Sequence, residues 1–325
     1  MSVFNKNAAA LLACIPLALP LAAQAQGYPQ RPVTLVVPFV AGGAFDVVAR
    51  LAAERLRTEL GQQFIVENKP GAGGTLGGRI VSQARPDGYT ILLSGVGPIS
   101  ISPAVYKNLG YDPAKALAPV VQLTSSPFVL ATSQAFPGST VPEFIQFLND
   151  KPGAYNYAST GNGTLVHLAG EYFRHSAEVQ FEHIPYAGGS QTALALLNGE
   201  ATFSITNIPN VLPQIQAGKL KALATTGARR PSALPDLPTM TEAGVKDFEF
   251  SGWIGIFAPA GTPEDVITTL NSAFNKAMSD PGMRERLQQQ GDEVATGTVA
   301  QFKQFVAESD AKWKAVATQA QVSID

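Results

Sequence analysis

The chain has 325 residues, of which 45% are hydrophobic and 15% are charged. This length and apolar content are sufficient for two lobes, each with a core of its own. Lysine and arginine total 23 against 25 aspartates and glutamates, so the net charge at pH 7 is −2. Because there is no basic excess, the composition argues against a protein that binds nucleic acid or an anionic membrane surface.

The first 25 residues have the pattern of a cleavable export signal. Lys6 gives a weakly basic start, residues 8–21 are apolar, and Ala23-Gln24-Ala25 is an A-x-A cleavage site. We therefore expect cleavage after Ala25. Leu11-Leu12-Ala13-Cys14 offers an alternative, a lipidated Cys14, but the apolar stretch before it is short for a signal. Loss of Cys14 with the signal would leave the mature chain without cysteine and without disulfides.

Residues 33–60 are expected to form a strand, a glycine turn and a helix. The apolar run VTLVV is typical of a parallel strand buried on both faces, and the apolar residues after Gly42-Gly43 recur with the helical period. Gly61 is a natural stop for that helix. Such a unit brings backbone N–H groups and a positive helix end to the carboxyl edge of the strand, where an anion is favoured. The alternative is an ordinary connection between a strand and a helix.

The rest of the chain alternates between strand and helix patterns, which predicts an α/β fold. Residues 120–131 are interpreted as one strand that passes between two lobes and bends at Pro127. Residues 229–238 contain three prolines and are interpreted as a linker leading back. Further strands are expected at 64–68, 89–94, 155–159, 179–185, 202–206, 220–225 and 253–257, and helices at 80–84, 141–148, 165–175, 191–198, 211–217, from Thr262 and from about Thr298.

Three junctions between a strand and a helix share one design, namely Gly42-Gly43, Gly161-Asn162-Gly163 and Gly188-Gly189. Each is expected to offer free N–H groups at a helix start, and two of them carry Ser or Thr hydroxyls as neutral donors. Taken singly, each is an ordinary tight turn. Their recurrence predicts a carboxylate site that needs no formal counter-charge.

Other kinds of site find little support in the sequence. The loop from Gly71 to Gly77 follows a strand, but its third glycine falls one residue late for the G-x-G-x-x-G dinucleotide motif. Asp46 lies in a first helical turn, where the helix dipole stabilises a carboxylate, and is expected to be structural. His167 and Glu171 share a helix face, but no second pair completes a metal site. With no G-x-S-x-G motif and no cysteine after cleavage, we expect no enzyme, no catalytic residue, no metal and no cofactor.

Eight motifs occur in one order along the mature chain: YPQRPVTLVVPFVAGGAFDVVAR, VENKPGAGGTLG, ARPDGYTILL, YKNLGYDP, YNYASTGNGTLVHLAGE, HIPYAGGSQTALALLNGE, LPDLPTMTEAG and FAPAGTP. Together they resemble the Bug-type solute-binding proteins of tripartite tricarboxylate transporters. The resemblance implies a type II periplasmic-binding-protein fold, with two α/β lobes, two crossing strands and a ligand cleft between the lobes. It also implies a periplasmic monomer that captures a small carboxylate and delivers it to a membrane permease.

The resemblance further implies limits for the lobes and residues for the site. Lobe 1 would comprise residues 26–124 and 228–325, and lobe 2 residues 125–227. The residues expected to bind the ligand are Phe39, Gly42, Gly43, Ser94 and Gly95 in lobe 1, and Ser159, Thr160, Gly163, Thr164, Ala187, Gly188, Thr206 and Asn207 in lobe 2.

Two departures from the family pattern bear on the ligand. In this resemblance, family members that bind amino acids have an aspartate, suited to an ammonium group, at the position of Thr206. Because Thr206 carries no charge, free amino acids are expected to bind poorly. Phe45 stands where the family often has a small hydroxyl residue, and would make one wall of the site apolar. We therefore expect an aromatic mono- or dicarboxylate. The alternatives are an aliphatic di- or tricarboxylate, packing of Phe45 within its own lobe, a sensor subunit that presents its ligand to a membrane receptor, and a secreted hydrolase.

Overall fold

The computed structural model describes residues 27–289 and 291–324. The predicted export signal, its cleavage after Ala25 and the alternative lipidation of Cys14 lie outside the described residues. None of the described helices combines the length and the apolarity that are needed to cross a bilayer.

The described residues form ten strands and eleven α-helices, which alternate along most of the chain, together with a 3₁₀-helix (Ala72–Gly74) and a π-helix (Gly97–Ile101). The strands are β1 (Val33–Val37), β2 (Phe64–Asn68), β3 (Thr90–Gly95), β4 (Leu117–Thr132), β5 (Asn156–Ser159), β6 (Glu182–Pro185), β7 (Phe203–Asn207), β8 (Lys221–Thr225), β9 (Ser251–Pro259) and β10 (Glu293–Val294). The helices are α1 (Ala44–Leu60), α2 (Thr75–Ser82), α3 (Ser102–Val105), α4 (Pro113–Ala116), α5 (Val141–Asp150), α6 (Leu165–Ser176), α7 (Gly189–Leu197), α8 (Ile208–Gln216), α9 (Glu264–Met278), α10 (Pro281–Gln289) and α11 (Val299–Gln319).

The first half of the sheet is built around β1, which lies between β2 and β3 and is parallel to both. Four of its five residues are buried, as the continuous apolar run predicts. Helix α1 follows it and ends at Gly61, whose left-handed conformation (φ 67°) caps the helix through an N–H bond to the Arg57 carbonyl. Strand β9 runs antiparallel to β3 and completes this half.

Strand β4 belongs to both halves of the sheet. From Leu117 to Pro127 it pairs antiparallel with β9, and from Phe128 to Thr132 it pairs with β7 and β8. The change of partner falls at Pro127, which has no N–H to donate to a ladder. The prediction of one strand passing between two lobes is therefore confirmed.

The second half of the sheet contains β5, which runs parallel to both β6 and β7. Its aromatic core joins that of the first half through Phe250, whose ring lies 5.6 Å from Phe128 and 5.4 Å from Trp313. The fold is thus the two-lobed α/β architecture expected from the resemblance, with a sheet shared at β4.

The structure also corrects several sequence predictions. The helix expected from Thr262 begins at Glu264 with Pro263 as its N-cap, whereas the helix expected at Thr298 is confirmed, with Thr298 in a capping box. Strand β6 begins only at Glu182. Helix α10 and strand β10 were not predicted, because α10 is strongly polar and β10 has two residues.

Candidate ligand-binding cleft

A cavity of about 640 Å³ lies against the two central strands β4 and β9, between the two halves of the fold. Its volume is within the usual range for small-molecule sites. It is lined by Phe39, Ala44, Phe45, Gly73, Val96, Gly97, Pro98, Ser102, Tyr106, Ser126, Pro127, Phe128, Thr160, Asn162, Gly163, Thr164, Leu165, Val166, Asn207, Pro209, Asn210, Gly252, Trp253, Ile254, Gly291 and Asp292.

Three helices direct their N-terminal ends at this cavity. Residues of the first turn or N-cap of α1, α6 and α8 line it, among them Phe45, Leu165 and Asn207. The first N–H groups of a helix have no acceptor within the helix, and the helix dipole makes this end positive. Gly43 and Asn207, the N-caps of α1 and α8, make no side-chain cap bond that would occupy those groups. The cavity is therefore suited to bind an anion without a lysine or arginine.

The expectation that the glycine turns themselves offer free N–H groups is wrong at three positions. The N–H groups of Gly42, Gly161 and Gly163 donate to the side chains of Asp46, Ser159 and His167 at 2.9, 3.1 and 3.0 Å, respectively. The N–H of Ala187, a site residue implied by the resemblance, donates to Gln191 Oε1 at 2.9 Å. These bonds fix the turns, and the donors left for a ligand are those of the helical residues that follow.

Six of the predicted site residues line the cavity, namely Phe39, Phe45, Thr160, Gly163, Thr164 and Asn207. The other eight do not line it: Gly42, Gly43, Ser94, Gly95, Ser159, Ala187, Gly188 and Thr206. The contact of any of them with a ligand stays a prediction.

Several of the eight lie directly behind lining residues. Ser94, Ser159 and Thr206 are fully buried. Asn210 donates to Thr206 Oγ1 at 3.5 Å and covers it, and the Asn210 side chain also lies against Gly189 at the start of α7. The N-terminal residues of α8 line the cavity, whereas those of α7 do not.

Aromatic rings form one wall of the cavity. Phe39 and Phe45 lie with ring centroids 4.3 Å apart, and both line the cavity together with Phe128 and Trp253. A Cβ at Gly95 would lie 3.0 Å from the Phe45 ring, so Phe45 packs on its own lobe and faces the cavity at once. Packing of Phe45 within its own lobe is thus observed, and its contact with a ligand stays a prediction.

Asp292 is the one formally charged side chain among the described residues that line the cavity. It is buried, and Ser126 Oγ donates a hydrogen bond to its Oδ1. Burial raises the pKa of Asp292 to about 6, and the bond from Ser126 only partly opposes this rise. Asp46 has the opposite shift, because the bond from Arg50 lowers its pKa to about 2, as expected for a structural carboxylate.

A stacked pair of histidines supports the loop at the start of α6. The rings of His167 and His183 are parallel within 9° with centroids 4.1 Å apart. His167 Nδ1 accepts the Gly163 N–H, which requires a neutral nitrogen there, and His183 Nε2 lies 2.6 Å from Ser159 Oγ. Burial lowers the pKa of both rings. The pKa of His183 falls to about 4, because the positive charge of a protonated His167 lowers it further.

The contact between Ser159 and His183 is the kind of pair that a hydrolase would need. Ser159 is completely buried, however, and does not line the cavity, so its hydroxyl cannot meet a substrate there. Within the described part of the chain, no three His, Cys, Asp or Glu side chains are placed to hold a metal ion.

Residues 48–322 match the family described as "Tripartite tricarboxylate transporter family receptor". The chain belongs to this family. A UPF0065 protein of Cupriavidus necator, described as lying in the gbd 5'region, is 38% identical over 309 residues, covering 95% of this chain and 93% of that protein. Protein BugT of Bordetella pertussis is 33% identical over 306 residues, covering 94% and 93%.

Solved structures agree with this assignment. Rpa4515 of R. palustris with adipate has a TM-score of 0.77 at 32% identity, covering 91% of this chain and 99% of that one. The periplasmic binding protein BugD gives 0.74 at 37% identity, with 91% and 99% covered. MatC of Rhodopseudomonas palustris with bound malate gives 0.73 at 33% identity, with 89% and 99% covered. Like the rest of its family, the chain is a solute-binding protein and not an enzyme.

Replacing Gly95 by alanine should lower the free energy of unfolding by about 1–3 kcal/mol, because overpacking a filled site strains it. The new Cβ would collide with the carbonyl oxygen of Trp253 and press on the Phe45 ring. Gly97→Ala is the matched control, since a Cβ at Gly97 meets nothing within 4 Å. Urea unfolding measures both, and equal stability of the two variants would contradict this packing.

Acid should destabilise the protein through the histidine pair. The pKa of His183 is lower in the folded than in the unfolded state. The stability that the neutral ring contributes is therefore complete above about pH 6.5 and is lost as the pH falls towards 4. We expect His183 to account for about 1–2 kcal/mol after allowing for solvent screening at a half-buried ring.

Unfolding of wild type, His183→Gln and His175→Gln at pH 7.0 and 5.0 measures this loss. His175 is exposed, so its variant should lose as much stability as wild type, and His183→Gln should lose less. Asp292 is present in all three proteins, so its own titration cancels in the comparison. Identical losses in all three would remove the histidine pair from the explanation.

Proposed function

We propose that this chain is the extracytoplasmic receptor that captures a small carboxylate for a tripartite tricarboxylate-type transporter. The observation that carries the proposal is the convergence of three helix N-termini on one cavity between the two halves of the fold. The carboxylate would accept hydrogen bonds from these N–H groups, each of which contributes about 1.5–3 kcal/mol when the acceptor is charged.

The proposal includes a periplasmic monomer that closes around its ligand by a hinge motion and then docks on the permease. We place the two lobes at residues 26–124 with 228–325 and at residues 125–227. Strand β4 changes its pairing partners at Pro127 and Phe128, which supports a boundary close to residue 125.

For the ligand class we propose an aromatic mono- or dicarboxylate. Phe39, Phe45, Phe128 and Trp253 supply aromatic surface, and an offset ring pair adds about 0.5–1.5 kcal/mol beyond the area it buries. Aliphatic dicarboxylates are the second candidate, because two proteins of similar structure are described with adipate and with malate.

A thermal-shift screen tests both parts of the proposal, since a ligand that binds the folded state raises the melting temperature. The panel contains benzoate, terephthalate, adipate, malate, citrate, glutamate and aspartate, with benzamide as the uncharged control. We expect the aromatic acids to give the largest shifts and benzamide to give none. Larger shifts with glutamate or aspartate than with every aromatic acid would exclude the aromatic class, and no shift with any acid would count against the receptor role.

Replacing Phe45 by serine should weaken binding of an aromatic acid about tenfold, or roughly 1.4 kcal/mol, while barely affecting adipate. Phe147→Ser is the control, because Phe147 is also half-buried but packs against Phe136 and Tyr155, away from the cavity. Calorimetry on folded samples of both variants gives the affinities. Equal loss for aromatic and aliphatic acids in Phe45→Ser would assign Phe45 to packing alone.

A further inference from the structure

Asp292 lies in the cavity because of the short strand β10. The carboxyl follows α10, immediately precedes β10, and reaches Ser126 on the crossing strand β4. It is 8% exposed, and no lysine, arginine or histidine lines the cavity within the described residues. A receptor for anions therefore holds an acidic group, without a cationic partner, in the space where the anion would bind.

The surroundings of Asp292 contain little that could titrate with it. Strands β4 and β9 and helix α8, which pack around it, carry no ionisable side chain. Arg284, Glu285 and Arg286 of α10 are exposed, and Glu293 lines a different cavity. Tyr106 is the other titratable group that lines the cavity.

We propose that Asp292 is a specificity-determining residue that binds the second polar end of a dicarboxylate as a neutral carboxylic acid, so that capture of the ligand takes up one proton. The inference rests on the receptor function proposed above. The proton comes from solvent and stays on Asp292. The acid O–H then donates to a carboxylate oxygen of the ligand, while Ser126 Oγ continues to donate to the other oxygen of Asp292.

Two arguments favour the neutral form in the complex. An ionised Asp292 beside a ligand carboxylate would place two negative charges close together in a space of low dielectric. Their repulsion favours protonation of one of the two groups. The acid form is also readily reached, because a carboxyl with a pKa of about 6 is protonated in roughly one molecule in ten at pH 7. The negative ligand raises this fraction further.

The test is calorimetry with terephthalate and adipate, both of which are largely ionised above about pH 6. Affinity should rise about tenfold from pH 8 to 7 and about fivefold from pH 7 to 6. Proton uptake in wild type is measured separately, from the heat of binding in phosphate and in Tris buffer, and should approach one proton per ligand at pH 8. This second measurement needs no variant.

Asp292→Asn supplies a neutral donor of the same shape. The affinity of this variant for either diacid should be independent of pH and at least tenfold above that of wild type at pH 8. Asp292→Ala lacks the donor and should bind more weakly than Asp292→Asn at every pH. His167 and His183 remain in both variants and have lowered pKa values, so any histidine effect would persist in Asp292→Asn.

Binding of either diacid that is independent of pH in wild type, with no proton uptake, would overturn the inference and leave the receptor function standing. Loss of binding in Asp292→Asn, with glutamate binding wild type more tightly than either diacid, would also overturn it, because Asp292 would then act as a negative partner for an ammonium group. Failure of all carboxylates to bind wild type would instead reject the receptor function itself.

Discussion

The rest of the structure depends on β4, the strand that both halves of the sheet share. It pairs with β9 up to Pro127 and with β7 and β8 from Phe128 onwards. The same stretch, Ser126 to Phe128, forms the floor of the cavity. The floor of the cavity thus lies where the chain passes from one half to the other, so a small change of backbone angle there would move one set of helix ends relative to the other. The closure proposed above would therefore be coupled to binding at this floor.

The cleft attracts anions with backbone dipoles instead of cationic side chains. The ends of α1, α6 and α8 contribute partial positive charge, and no lysine or arginine of the described residues lines the cavity wall. Backbone donors are already held in place by their helices, so they cost little to order when a ligand arrives. The side chains of Asp46, Ser159 and His167 accept hydrogen bonds from backbone N–H groups of the glycine turns before α1 and α6, and so fix these turns.

Much of the fold follows from local sequence, whereas much of the site does not. The strand, turn and helix from Val33 to Leu60 and the cap at Thr298 were predictable, because apolar period and capping residues are local signals. The satisfied N–H groups at Gly161 and Gly163 were not, since their acceptors depend on side-chain direction. Nor could the sequence show that the Asn210 side chain lies against Gly189 at the start of α7.

Asp292 illustrates the limit most clearly, because its position depends on the register of a strand of two residues. Glu293 is opposite Ser125 and Val294 is opposite Thr124, which places Asp292 level with Ser126. Asp292 lines the cleft, whereas Glu293 and Val294 line a second cavity. A slip of one residue would place Glu293 opposite Ser126, where Asp292 now lies. No periodic signal marks so short a strand, yet its pairing decides which acidic group lines the cleft.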